Sequence, residues 1–338
     1  MIGDAERVAR LQRQVSAFGG VRSPLDLQID GMRLVVAGPQ ILQIPNGWSF
    51  HEFLLSYGQS QLGADWITSN AETHQLVTHL VKGTAGIRPT GARDGKFVAA
   101  TMNGDLLAFL SFAYDLFILA DNAEVQKSLF YRLRKSDQYQ GARYEMFVAA
   151  SLLRAGFKIA FEDESDSTIS HCEFTATSQQ TGRAFSVEAK SRHRESPVSV
   201  DGAVPKSRMY VLLQKALAKH ASHERIIFAD VNLPPDDQPV FQQGWHQEVA
   251  ASLNELEQKQ REDDPWPQAM VFFTNRKTSP WPSPGAGGKA TVLLTAINHP
   301  LFKTEELRAM AESQYPEIGT LFRAVNELGH PPSQFFAQ

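Results

Sequence analysis

Glu188 and Lys190 stand two residues apart, so in an extended strand a carboxylate and an amine share one face. The segment reads Ser186-Val187-Glu188-Ala189-Lys190-Ser191-Arg192, and apolar Phe185, Val187 and Ala189 alternate with polar Ser186, Glu188 and Lys190. Upstream, Glu173 sits in Cys172-Glu173-Phe174-Thr175-Ala176, which has a strand pattern of its own. The interval between the two glutamates suits antiparallel neighbours joined by a hairpin, which would bring the carboxylates together. Hydrolysis of a phosphodiester needs a more basic water and stabilised charge on the phosphoryl and leaving oxygens. A hard divalent cation on one or two carboxylates, its shell completed by water and phosphate, supplies both. Glu173 and Glu188 are the candidate ligands, and Lys190 is the amine that lowers the pKa of the water or pairs with the phosphate.

Several elements must position these groups. Between Gly141 and Gly156, Tyr144, Phe147, Val148, Leu152 and Ala155 recur at helical spacing, with Glu145 beside the stripe and Gly156 placed to end the helix. Phe157 to Phe161 alternates like a strand, and Glu162-Asp163-Glu164-Ser165-Asp166 reads as the solvated turn after it. A turn around Gly182 leads into a third strand from Ala184 to Ala189. Arg192, His193 and Arg194 follow where a phosphate would approach, although solvated charges would look the same. From Lys206 to Ala221, Met209, Leu212, Leu213, Ala216 and Leu217 form a helical stripe, with Lys206, Arg208, Lys215 and Lys219 outside it. That basic helix is either a local phosphate-binding patch or a soluble helix surface. Arg225 to Val231 is a further buried strand.

With Tyr144-Glu145 on a helix, Glu173 on a second strand and Glu188-Ala189-Lys190 on a third, residues 139–231 resemble the PD-(D/E)XK nuclease superfamily. The resemblance implies an α/β, restriction-endonuclease-like mixed central sheet flanked by helices. It implies magnesium or manganese on Glu173 and Glu188, water activation assisted by Lys190, and Glu145 bordering or joining the metal site. It also implies nucleic acid as partner, DNA ahead of RNA, with Arg192, Arg194, Lys206 and Arg208 as candidate contacts. Where the family usually has Pro-Asp this chain has Cys172-Glu173, an oxygen donor one methylene longer. The other class of function open to such a chain is a nucleic-acid-binding or regulatory protein that keeps the fold without cleaving. The bland alternative is a strand whose polar face carries a solvated ion pair.

The chain of 338 residues is long enough for two domains or one elaborated domain. Residues 1–137 read as a mainly helical region with a short β-hairpin, residues 138–300 as the nuclease-like domain and residues 301–338 as a helical tail. In the first region, helical stripes are expected over 4–18, 48–82, 106–120 and 123–134, a hairpin over 32–44 and a loop over 83–96. The N-terminal region is also where a second copy or a protein partner could bind. The net charge of −4 gives no bulk attraction to nucleic acid or an anionic membrane, so a polyanion must be met by a local patch.

One cysteine excludes an internal disulfide framework and a cysteine-based zinc site, which makes a reducing cytoplasm the default. The first fifteen residues lack the apolar core of a secretory signal, and Leu106 to Ala120 is shorter than the ~20 residues of a membrane span. His74 and His79 are five apart, and His220 and His223 fall at a helix end, so neither pair has convincing ligand spacing. Arg132, Arg134 and Lys135 read as cations at a helix C-terminus or as a phosphate contact. Gly287-Gly288-Lys289-Ala290 lacks the earlier glycine and the following Ser or Thr of a P-loop.

Overall fold

The computed structural model describes residues 26–29, 31–38, 40–90, 99–122, 127–161, 172–192, 209–232, 244–275, 291–299, 301 and 313–326. The helix expected over 4–18, the acidic turn at 162–166, the residues His193, Arg194, Lys206 and Arg208, and the glycine-rich stretch ending at Lys289 lie outside them.

The molecule is mixed α/β. Strands β1 (Asp26–Ile29), β2 (Met32–Ala37) and β3 (Gln40–Ile44) form an antiparallel three-stranded sheet, adding β1 to the expected hairpin. Gly38 turns β2 into β3 at φ +56°, and a Cβ there would meet the Ala120 carbonyl oxygen at 2.5 Å. Helices α1 (Phe50–Leu62), α2 (Ala64–Ser69) and α3 (Gln75–Ala85) follow. α1 starts on a capping box: Glu52 N–H donates to Ser49 Oγ (3.2 Å), and Ser49 N–H donates to Glu52 Oε2 (2.7 Å).

The loop expected from Gly83 is helical through Ala85, and β4 (Arg88–Thr90) then pairs with β5 (Ala99–Thr101). Gly83 serves close packing, since a Cβ there would lie 2.6 Å from the Leu106 backbone nitrogen. Its missing side chain lets α3 approach α4 (Gly104–Asn122), whose Phe109, Phe112, Ala113, Phe117 and Ile118 are buried. Among the described residues no helix is long and apolar enough to cross a membrane.

Helix α5 (Lys127–Leu133) leads to α6 (Tyr139–Arg154), which ends at Gly156 with φ +84°. Then come β6 (Phe157–Phe161), β7 (Phe174–Ser178), β8 (Ala184–Ser191), α7 (Met209–Leu217), β9 (Glu224–Asp230), α8 (Gly244–Gln258), β10 (Ala269–Asn275), β11 (Thr291–Ile297) and α9 (Pro316–Asn326). The six strands form one mixed sheet in the order β11-β10-β9-β8-β7-β6. β8, β9 and β10 are parallel, whereas β6, β7 and β11 pair antiparallel with their neighbours.

Period-two alternation sorts the strands onto two cores. Phe174, Phe185, Val187, Ala189, Phe228 and Phe272 join α6 and the N-terminal helices in one continuous core, which also takes Ile318, Leu321 and Val325 of α9. Ile227, Ala229, Val231, Val271 and Phe273 face Met209, Leu213, Trp245 and Val249 of α7 and α8. Helices thus cover both faces, which is why the central strands β9 and β10 are buried along almost their whole length.

Candidate active site

The site forms where β7 starts and β8 ends. Phe174 pairs with Val187 as the last paired positions of the two strands, and Glu173 and Glu188 flank that pair. β7 begins at Phe174, one or two residues later than the pattern suggests, yet Glu173 N–H still donates to the Val187 carbonyl at 3.0 Å. Because Phe174, Val187 and Ala189 point into the α6 core, Glu173, Glu188 and Lys190 occupy the opposite face, toward α7.

Lys190 Nζ donates to Glu173 Oε1 at 3.1 Å and is in close contact with Glu188 Oε1. Oxygens that share one ammonium at hydrogen-bond distance lie within ~6 Å of each other. Splayed, separately solvated side chains are therefore excluded. Glu188 has no solvent exposure, and its Oε2 accepts no hydrogen bond among the described residues. Lys219, just past the end of α7, places Nζ 3.8 Å from Glu188 Oε1.

Burial pushes the Glu188 carboxyl upward, to about 7; Lys190 opposes the rise and Glu173 adds to it. Burial works against the Lys190 ammonium, but Glu188 and Glu173 outweigh it and hold its pKa above the usual lysine value. Lys190 is thus a charged donor at neutral pH.

Glu145 reaches the site from α6. Both its oxygens are gripped by Arg132, with Nη1 to Oε2 at 3.0 Å and Nη2 in close contact with Oε1. Burial and the Glu173 charge raise its pKa to about 7 against the pull of Arg132 and Lys190. Arg134 donates to the Leu62 carbonyl at 2.8 Å, and Lys135 lies over the Tyr131 ring. The basic cluster at the end of α5 therefore divides, and only Arg132 turns to a site acid.

Among the described residues no three His, Cys, Asp or Glu side chains gather as a metal cluster. What the structure offers a cation is the Glu173 and Glu188 pair. The fit rests on two oxygen-donor carboxylates brought together and on a buried carboxylate oxygen without a partner, which a bound ion would satisfy.

Beyond Lys190, the Arg192 carbonyl accepts from Asn232 Nδ2, and the Gln140 amide oxygen accepts from the same nitrogen at 3.1 Å. Gln140 in turn donates to Gln75, and Gln75 meets His79, whose Nδ1 is 2.7 Å from Asp105. His74 accepts from Leu76 N–H at the start of α3. His74 and His79 are thus buried structural groups.

Nothing in the spacing pointed to the pairing of Arg132 with Glu145 or to the approach of Lys219 to Glu188. The one available signal for Lys219 was a lysine at the end of an apolar helix leading into the strand beside β8. Comparison of the chain with known protein families, curated proteins and solved structures found no match.

Proposed function

We propose that this chain is a metal-dependent nuclease of the PD-(D/E)XK type, hydrolysing phosphodiester bonds of nucleic acid on a restriction-endonuclease-like fold. One observation carries the proposal: Glu173 and Glu188 flank the last residue pair of β7 and β8, with Lys190 Nζ between their carboxylates. The order of the helix, the two acid-bearing strands and the parallel return strand β9 agrees with it. When bound by Glu173 and Glu188, magnesium or manganese would polarise the phosphoryl oxygen and lower the pKa of an attacking water.

The chain's own residues do the rest. Glu188 is rigidly buried and Glu173 partly exposed, so one carboxylate anchors while the other faces incoming substrate. Lys190 stays protonated beside both and offers N–H donors to the phosphoryl oxygens, where negative charge grows. Arg192 lies just past the end of β8, and Arg194, Lys206 and Arg208 follow in sequence as candidate backbone contacts.

The test is cleavage of single- and double-stranded DNA and RNA with magnesium, with manganese and with EDTA. Wild type is expected to cut only with metal, and Lys190→Ala to cut at least ~100-fold more slowly, the usual order for losing one charge-stabilising donor. Equal cutting by Lys190→Ala, or cutting that survives EDTA, would remove this site from the reaction.

A second reading is favoured by the Arg132 grip on Glu145, which occupies both oxygens of that carboxylate. It is a nucleic-acid-binding protein that keeps the fold without cleaving. Salt-dependent binding, with no metal-dependent cleavage of any of the four substrates, is the result that selects it.

A further inference from the structure

Lys219 lies 31 residues beyond Glu188, outside the E-x-K segment, yet the fold brings its ammonium to the same buried carboxylate oxygen that Lys190 contacts. Its backbone is pinned on both sides. The buried Arg225 on β9 donates from Nη2 to the Lys219 carbonyl at 2.8 Å, and Cys172 Sγ, next to Glu173, donates to the His220 carbonyl at 3.3 Å. Two successive carbonyls are therefore held by side chains from the strand on one side of Glu188 and from the approach to the strand on the other. A lysine on a soluble helix surface has no need of such anchoring.

The charge balance points the same way. Lys190 already bridges Glu173 and Glu188, so a second ammonium at 3.8 Å brings the pair to two cations for two carboxylates. That distance is an ion pair but longer than a hydrogen bond. The side chain is only 24% exposed and is aimed inward, where an anion approaching Lys190 would meet it.

We propose that Lys219 is a second phosphate-binding cation of this site, taking a non-bridging oxygen of the phosphodiester beside Lys190, with Arg225 and Cys172 as its positioning residues. This rests on the assignment of Glu173, Glu188 and Lys190 to a phosphodiester site. Lysine suits the role because its ammonium is a point charge with three donors that can serve a tetrahedral anion from several directions.

The test has two arms, each with wild type, Lys219→Ala, Lys219→Arg and, as a control on the exposed edge of β6, Lys158→Ala. In the first, melting temperature is followed in inorganic phosphate against chloride at equal ionic strength. Phosphate is expected to raise the melting point of wild type and Lys158→Ala, to raise Lys219→Arg partly, and to raise Lys219→Ala by less than half as much. In the second, single-turnover cleavage by Lys219→Ala is expected to fall ~10- to 100-fold with partial recovery in Lys219→Arg, the range for losing one charge-stabilising donor.

No phosphate effect in wild type, or an equal effect in Lys219→Ala, overturns the assignment of Lys219. A phosphate effect lost in Lys219→Ala while wild type cuts no substrate would retain the anion site and overturn the nuclease. Because Lys219 is partly exposed, melting in chloride shows that the variants are folded.

Discussion

Two buried carboxylates in this molecule have opposite surroundings. Asp115, on α4, is saturated: Arg143 Nη1 donates to Oδ2 at 2.8 Å and Arg154 Nη1 to Oδ1 at 2.9 Å, and Arg154 has no side-chain exposure. Glu188, on β8, is equally buried, yet two ammonium groups crowd one of its oxygens while the other has no hydrogen bond among the described residues. In the first arrangement each oxygen is held by a buried guanidinium. The second has capacity to spare, and an unsatisfied buried polar atom is expensive to keep unless something uses it. Function is to be sought at the charge that the fold leaves incomplete.

Mutation should separate the two most sharply. Asp115→Ala leaves two buried guanidiniums without an anion and should destabilise the protein by ~3–5 kcal/mol in urea unfolding. Glu188→Gln removes a charge that burial opposes and leaves Lys190 its contact with Glu173, so stability at pH 8 should change by less than ~1 kcal/mol while cleavage is lost. Comparable destabilisation by both substitutions would show that the Glu188 cluster is only another structural ion network.

Opposite responses to pH come next in size. Burial lowers the His74 pKa from 6.5 to about 4, so its contribution to stability is full above pH 6.5 and is lost as pH falls through 4. The shift corresponds to at most ~3 kcal/mol. Glu145 and Glu188 are raised from 4.5 to about 7, so their contribution is full below pH 4.5 and is lost as pH rises through 7. Urea unfolding of His74→Gln should show less acid destabilisation between pH 6.5 and 4 than wild type, with little change between pH 7 and 8. An unaltered acid limb would mean that His74 titrates normally.

The smallest expected effect probes the ground between the two clusters. Tyr144 OH lies 2.8 Å from Thr274 Oγ1, which donates to Asp230 Oδ1 at 3.0 Å, and Ser191 Oγ reaches the other oxygen of Asp230 at 3.3 Å. Tyr144→Phe should destabilise by ~1 kcal/mol, because Thr274 keeps Asp230 as a partner. If cleavage drops more than tenfold with so small a change in stability, this network positions β8 for the reaction and is not simply structural like Asp115.

Much of the sheet was legible because its strands carry their signal locally. Continuous apolar runs mark β9 and β10, alternation marks β8, and Gly156 marks the end of α6 within one residue. The common face of Glu188 and Lys190 follows from period two alone, and the hairpin interval already brought Glu173 toward them. What stayed illegible depends on contacts distant in the chain. Arg143 and Arg154 are separated from Asp115 by 28 and 39 residues, and an arginine inside an apolar helix stripe does not announce its partner. Gly83 looked like a loop former because close helix approach and chain reversal both call for glycine. Lys219 stood between a phosphate patch and a soluble helix surface, because helical periodicity stops before the segment in which its carbonyl is captured by Arg225.

Helix α6 looks two ways: Arg143 and Arg154 answer α4, while Tyr144, Phe147 and Val148 close the sheet. A polypeptide cut just before Tyr139 would not liberate a self-sufficient sheet domain. It would strip α4 from an apolar wall and leave Arg143 and Arg154 without the carboxylate they share. For anyone making truncations, the helical first third is an inseparable half of the scaffold and not a removable appendage.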